Sequence, residues 1–234
     1  MPNPKYMSLQ KDINTSMREI LIDWLIQVHI KYRLRPETLF LTVNLIDRYL
    51  GMAIITRKNL QLVGVACMLI AAKYEEIYPP TAEDFVYITD YAYNKQEVLA
   101  MEGDILVKLD FEIHFTSPFR FLERYMFLKE TSTNEKNFAL FLLEGCLISY
   151  PMLKYKSSVL AGGCLYLANK LCFSKEPWSQ KMEEYTYLDE QTLRQCARDI
   201  HQYALLKTID EKAKLKAVFD KFASSKYGQV SEKI

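Results

Sequence analysis

The sequence predicts an all-α protein built of two similar helical domains in tandem, and three observations carry that expectation. Glycine (7) and proline (8) together make up about 6% of the 234 residues, roughly half of their average combined usage of about 12%. Strand-and-turn architectures depend on those residues, so their scarcity favours helices. Two uncharged 13-residue stretches, 60–72 and 157–169, suit buried core helices and are too short to span a bilayer. Shifting the numbering by 97 lays one stretch on the other and brings Cys67 onto Cys164, Ala71 onto Ala168, Lys73 onto Lys170 and Pro80 onto Pro177. In the same register Val43, Leu45, Ile46 and Leu50 fall on Leu140, Leu142, Leu143 and Leu147.

Each element has its own local signal. Thr15 or Ser16 can cap a first helix over residues 17–30 that stops before Pro36. Pro36 suits a first helical position, so residues 37–50 make a second helix, ended by Gly51. Residues 60–76 form the third, apolar on every face up to Lys73 and therefore surrounded by others. Pro79 and Pro80 end that connection, a short helix comes next at 82–88, and residues 95–109 make a fifth. Small residues on the two central helices (Gly64 and Ala66; Ala161, Gly162 and Gly163) would let neighbours approach closely.

Residues 110–118 break the pattern; being short and partly apolar, they join packed domains. The expected divisions are an N-terminal segment 1–14, a first domain 15–114, a second domain 115–208, and a C-terminal helix and tail 209–234. Each domain should hold about five helices around its central apolar helix.

Composition narrows the function. Lys plus Arg (30) nearly cancels Asp plus Glu (29), so no overall field concentrates nucleic acid or an anionic membrane, and neither is an expected partner. The five cysteines (Cys67, Cys146, Cys164, Cys172 and Cys196) are odd in number and lack a Cys-x-x-Cys pair, which suits reduced core residues of an intracellular protein. Residues 1–10 show no apolar run flanked by basic residues, hence no visible signal peptide. His29, His114 and His201 are far apart and lack a carboxylate, Cys or His at metal-ligand spacing, so they read as surface or half-buried residues and no metal is expected. Phosphate-loop, dinucleotide and nucleophile-elbow motifs are missing, so neither catalysis by a familiar motif nor a cofactor is expected. Glu75 and Glu76, about 100 degrees apart on a helix, read as a solvated helix end.

Five segments carry a resemblance: MREILIDWL (17–25), ETLFLTVNLIDRYL (37–50), LQLVGVA (60–66), AKYEEIYPP (72–80) and DFVYITD (84–90). They closely resemble the cyclin box of mitotic cyclins, and the repeat at offset 97 looks like the second, more divergent box. Gln27, Tyr74 and the ILIDWL run look more like B-type than A-type members. The resemblance implies two tandem cyclin boxes in a non-enzymatic subunit that binds and activates a cyclin-dependent protein kinase. It further implies action at the G2/M transition, in nucleus and cytoplasm, and a longer regulatory N-terminus ahead of the boxes.

Five positions characteristic of that family are present as Arg18, Asp47, Leu62, Lys73 and Glu102. The resemblance makes Arg18 and Asp47 a buried structural pair locking the first helix to the second. It assigns Lys73 and Glu102 to hydrogen bonds with the kinase segment leading into its αC helix, with Tyr74, Ile77, Leu106 and Ile113 supplying apolar contact. A second surface is implied by Met17, Ile20, Leu21 and Trp24 at helical spacing, with Gln27, Leu60 and Gln61. In the family this patch docks substrate or inhibitor peptides with an Arg-x-Leu core. Glu19 stands where alanine is usual and Gln27 where A-type members carry an acid, which weakens charge complementarity to the peptide's arginine. Periodicity alone reads the same stripe as core.

A rival reading is a transcription-factor core of the same two-box fold binding promoter DNA, which would need a basic surface. Residues 207–226 hold six Lys against three Asp or Glu, a modest excess that looks like an ordinary solvated terminal helix.

Overall fold

The computed structural model describes residues 2–210 and 214–233, and every regular element among them is helical. No described helix is long and apolar enough to cross a membrane. The chain divides into two units, Met1–Phe115 and Thr116–Ile234.

In the first unit, α1 (Thr15–Lys31), α2 (Pro36–Leu50), α4 (Ala82–Ile88) and α5 (Lys95–Lys108) all pack on a central α3 (Arg57–Glu75). Leu60 and every residue from Leu62 to Ala72 on α3 are buried. Close approach is possible because Gly64 lacks a side chain: a Cβ there would stand 2.8 Å from Leu21 Cδ1 on α1. In the second unit, α8 (Ser157–Leu171) is central, flanked by α6 (Pro118–Lys129), α7 (Thr133–Ile148) and α10 (Glu190–Ile200), with the short α9 (Gln180–Thr186) against α6. Beyond α10 a π-helical turn, His201–Leu205, leads into the four-residue α11 (Leu206–Ile209). The two glycines of α8 are as tightly used as Gly64, since a Cβ at Gly162 would lie 2.8 Å from Leu193 Cδ2 and one at Gly163 2.7 Å from Cys196 Sγ. The 97-residue register therefore carries α2 onto α7 and α3 onto α8, while Pro118, restricted to a first helical turn, starts α6 later than the shift would place it.

Several helix ends differ from expectation because the partner lies elsewhere in the chain. The cap of α1 is Asn14, whose side chain accepts from the Met17 N–H at 3.0 Å, rather than Thr15 or Ser16. Helix α3 starts at Arg57, earlier than its apolar run, because the Asp12 carboxylate accepts the Arg57 N–H at 2.9 Å and binds its guanidinium. Glu76 is no solvated end: its carboxylate accepts the Arg35 N–H at 2.7 Å and the Thr38 hydroxyl at 2.5 Å, closing the start of α2. The short α4 carries a reciprocal capping box between Thr81 and Asp84.

The C-terminal segment also departs from the solvated-helix reading. Helix α12 (Ala217–Phe222) and the 3-10 turn Val230–Lys233 pack on α7, burying Ala217, Val218, Lys221, Phe222 and Val230. Phe222 meets Phe141 of α7 edge-on with ring centroids 5.6 Å apart. The apolar spacing inside AVFDKF gives this short helix one inward face.

Charges inside both units are compensated. Arg18 and Asp47 are each 1% exposed; Nε lies 2.6 Å from Oδ1 and Nη2 2.7 Å from Oδ2, and the Tyr6 hydroxyl adds a bond to Oδ1 at 2.7 Å. Burial opposes the guanidinium charge, but Asp47 and Tyr6 outweigh it and hold Arg18 protonated well above its ordinary range. The five cysteines are unpaired; Cys172, at the end of α8, is partly exposed, and burial pushes the Cys67 and Cys164 thiols up. His29, read as a surface or half-buried residue, is buried with Nε2 3.1 Å from the Arg35 carbonyl, whereas His114 and His201 are exposed.

Arg18→Met should lower stability by about 3–5 kcal/mol, because it leaves Asp47 charged and buried. Adding Asp47→Leu should recover most of that loss. Urea unfolding of both variants checks this, read as the midpoint at constant slope.

Candidate protein interaction site

Lys73 lies in the last turn of α3 and Glu102 in the middle of α5, and the packing of those helices brings the two side chains together. Lys73 Nζ donates to both Glu102 oxygens, at 2.6 and 2.8 Å. The pair is lopsided in exposure: the lysine side chain is 49% accessible and the glutamate 12%. The resemblance assigned both to contacts with a partner and did not show that they bond each other. Lysine on α3 also suits the negative end of that helix's dipole.

The ammonium has three N–H donors, and a chelating carboxylate leaves one for a partner. Glu102 in turn is fixed by α5, which is tied down two residues on, where the Tyr49 hydroxyl donates to Asp104 at 2.5 Å. Burial and that carboxylate both push the Tyr49 phenol well above its ordinary range, so it stays a donor.

Apolar surface lies beside this pair in the chain. Ile77 is 83% exposed and Tyr74 is exposed, while Leu106 and Ile113 are half-buried. Tyr78, Val107 and Phe111, which sequence reasoning did not single out, are exposed as well. At Phe111 the backbone itself turns: Asp110 and Phe111 both adopt left-handed angles, φ 53° and 56°, where α5 ends. Large apolar side chains left in water at such a site are the material of an interface core.

The proposed docking stripe on α1 divides in two. Leu21 is 6% exposed and packs against Gly64, and Leu60 is buried too, so both belong to the core. Ile20 and Gln27 are exposed, and Met17, Trp24 and Gln61 are half-buried. Gln27 donates to Asp23 at 3.2 Å. The split has a simple cause: α1 crosses α3 at Gly64, so one edge of the stripe turns inward and the other stays at the surface. Among the described residues no group of three His, Cys, Asp or Glu is placed to hold a metal ion.

Both halves of the chain match known families. Residues 1–114 match the cyclin N-terminal domain and residues 116–233 the cyclin C-terminal domain. Cyclin-B2-1 of Oryza sativa subsp. japonica is 42% identical over 228 residues, covering 96% of this chain and 53% of its own length. Cyclin-A1-1 of Arabidopsis thaliana is 42% identical over 239 residues, covering 99% of this chain and 51% of its own. The chain thus spans about half the length of the curated relatives it matches, and B2 and A1 types match it equally well in identity. The crystal structure of a viral cyclin from herpesvirus saimiri shares the fold with a TM-score of 0.74 at 21% identity, covering 86% of this chain and 91% of that one. A chain of the yeast RNA Pol II CTD kinase CTDK-1 complex does so with a TM-score of 0.68 at 17% identity, covering 84% and 66%. With two domain families matched end to end and full-span relatives at 42% identity, this chain belongs to the cyclin family.

Proposed function

We propose that this cyclin is a non-catalytic regulatory subunit that binds and activates a cyclin-dependent protein kinase at the G2/M transition, working in nucleus and cytoplasm. The observation that carries the reading is the Lys73 and Glu102 pair, an anchored polar contact flanked along the chain by exposed Tyr74, Ile77 and Phe111. Its place among B2-type and A1-type cyclins supports the same reading.

The mechanism rests on the requirements of a protein kinase. Its catalytic lysine must pair with the αC glutamate, and its activation loop must leave the substrate cleft. A rigid helical face that binds αC only in its inward position shifts the kinase toward the active state by differential affinity. No residue of this chain touches phosphate in that scheme. The rival DNA-binding reading loses one of its few cations, because Lys221 is buried against Glu144.

Lys73→Ala and Glu102→Ala should each fold, yet weaken kinase binding by about 1.5–3 kcal/mol, the range for a hydrogen bond to a charged group. Because Lys73 is half exposed, its removal should cost at most about 1 kcal/mol of stability. Calorimetric titration with a cyclin-dependent kinase, beside thermal melting, measures both. Unchanged affinity in both variants would reject the assignment.

We also assign the exposed edge of α1 to docking of Arg-x-Leu peptides, with Leu21 and Leu60 as its buried floor. Ile20→Ala combined with Trp24→Ala should keep the fold and kinase activation toward a short peptide lacking Arg-x-Leu. Phosphorylation of an Arg-x-Leu substrate should fall at least tenfold. An equal loss on both substrates would end the docking assignment.

A further inference from the structure

The 97-residue register places Glu144 of α7 where α2 carries Asp47. In the first unit Arg18 of α1 compensates the buried carboxylate, and Tyr6 adds its hydroxyl. The same shift carries Arg18 onto Phe115, ahead of α6, and the cation on Glu144 does not come from α6. Its compensation comes instead from 77 residues downstream, where Lys221 of α12 donates to both Glu144 oxygens at 2.6 and 2.7 Å. Both side chains are almost fully buried, at 6% and 4% exposure. A tyrosine attends this pair too: the Tyr227 ring centroid lies 6.0 Å from Lys221 Nζ and stacks 4.5 Å from Phe222.

The segment holding that lysine has little structure of its own. Helix α12 is six residues long and gives way to two short 3-10 turns, the second of them tied back to the helix by a bond from the Ser231 hydroxyl to the Phe219 carbonyl at 2.9 Å. Helices this short are unstable in water and owe their existence to docking. Native proteins open sub-globally in contiguous cooperative units, and a contiguous segment held only by docking can form one.

We infer that residues 217–233 act as a latch on the second unit, locked by Lys221 on Glu144 and able to open while α6 to α10 remain folded. Opening uncovers Phe141 and gives the Glu144 carboxylate access to water, so the charge is solvated instead of stranded. Closing removes water from both charges at once, which makes the lock all-or-none. The inference is independent of the proposed kinase partner.

Hydrogen exchange on the full chain tests it, with the amides of Ala223, Gly228, Gln229 and Glu232 as reporters, since each is hydrogen-bonded within the segment. In a series of low urea concentrations these amides should exchange at least tenfold faster than those in the centre of α8. Lys221→Met leaves the carboxylate without its partner and should speed the reporters by about a hundred- to a thousandfold, with α1 to α5 unchanged. Glu144→Gln combined with Lys221→Met removes both charges and should return the rates to within tenfold of the unaltered chain. Reporters that exchange only together with α8 would overturn the latch, and so would a single variant with unchanged rates or a double variant no slower than the single. Should Lys221→Met fail to fold, the urea series on the unaltered chain decides alone.

Discussion

A carboxylate buried on the second helix of each repeat is the constraint on which much of this architecture depends. Asp47 and Glu144 sit on the helices packed against the central ones, out of reach of water. A charge in that position is tolerated only with a close, well-hydrogen-bonded partner, and losing the partner costs more than the pair gains. The two units meet the demand from opposite ends of the chain. The first draws on Tyr6 and Arg18, so the segment ahead of α1 is pinned to α2; the second draws on Lys221, so the terminal segment is pinned to α7.

Small residues on the central helices set the geometry that the charges then lock. Gly64 lets Leu21 reach the α3 backbone, and Gly163 does the same for Cys196 at α8. An added methyl at Gly64 would press on the end of the Leu21 side chain, and one at Gly163 on Cys196 down to its Cβ at 3.1 Å, so in each case a neighbour would have to shift. The position of Lys73 at the end of α3 is thus fixed by packing at its middle. A binding residue carried on a helix held this way needs little further ordering.

What the sequence made legible was periodic. The five helices of the first unit, the register that carries α2 onto α7 and α3 onto α8, and the small residues at the crossings were legible because local spacing and burial agree there. What was not legible depended on partners distant in the chain. Asp12 caps α3 from 45 residues away, and Glu76 closes α2 from about 40, so neither looked like a capping residue. Asn14 was passed over for the adjacent Thr15 and Ser16 because all three have capping side chains and only backbone angles choose among them. Periodicity alone read the α1 stripe as core and the resemblance read it as a docking surface; Leu21 is buried, while Ile20 stays exposed, because helical spacing does not say which edge faces inward. The terminal segment read as solvated because its lysines were counted as charges, while the carboxylate waiting for one of them lay in α7.

The same logic distinguishes the two repeats as binding surfaces. The register carries Lys73 onto Lys170 and Glu102 onto Asp199, so residue types alone would suggest a second copy of the anchored pair. The structure uses them differently. Asp199 accepts from Lys154 at 2.5 Å and from the Tyr155 hydroxyl at 2.6 Å, and Lys170 stands over the Tyr166 ring at 5.8 Å. Lys73, by contrast, is held by a carboxylate on a neighbouring helix and still reaches water. Anchoring a long side chain before a partner arrives removes part of the rotamer entropy, up to about 2 kcal/mol, that an unrestrained lysine would lose on binding. Two units of one fold and similar composition therefore need not present the same face, because packing decides which acid each lysine meets.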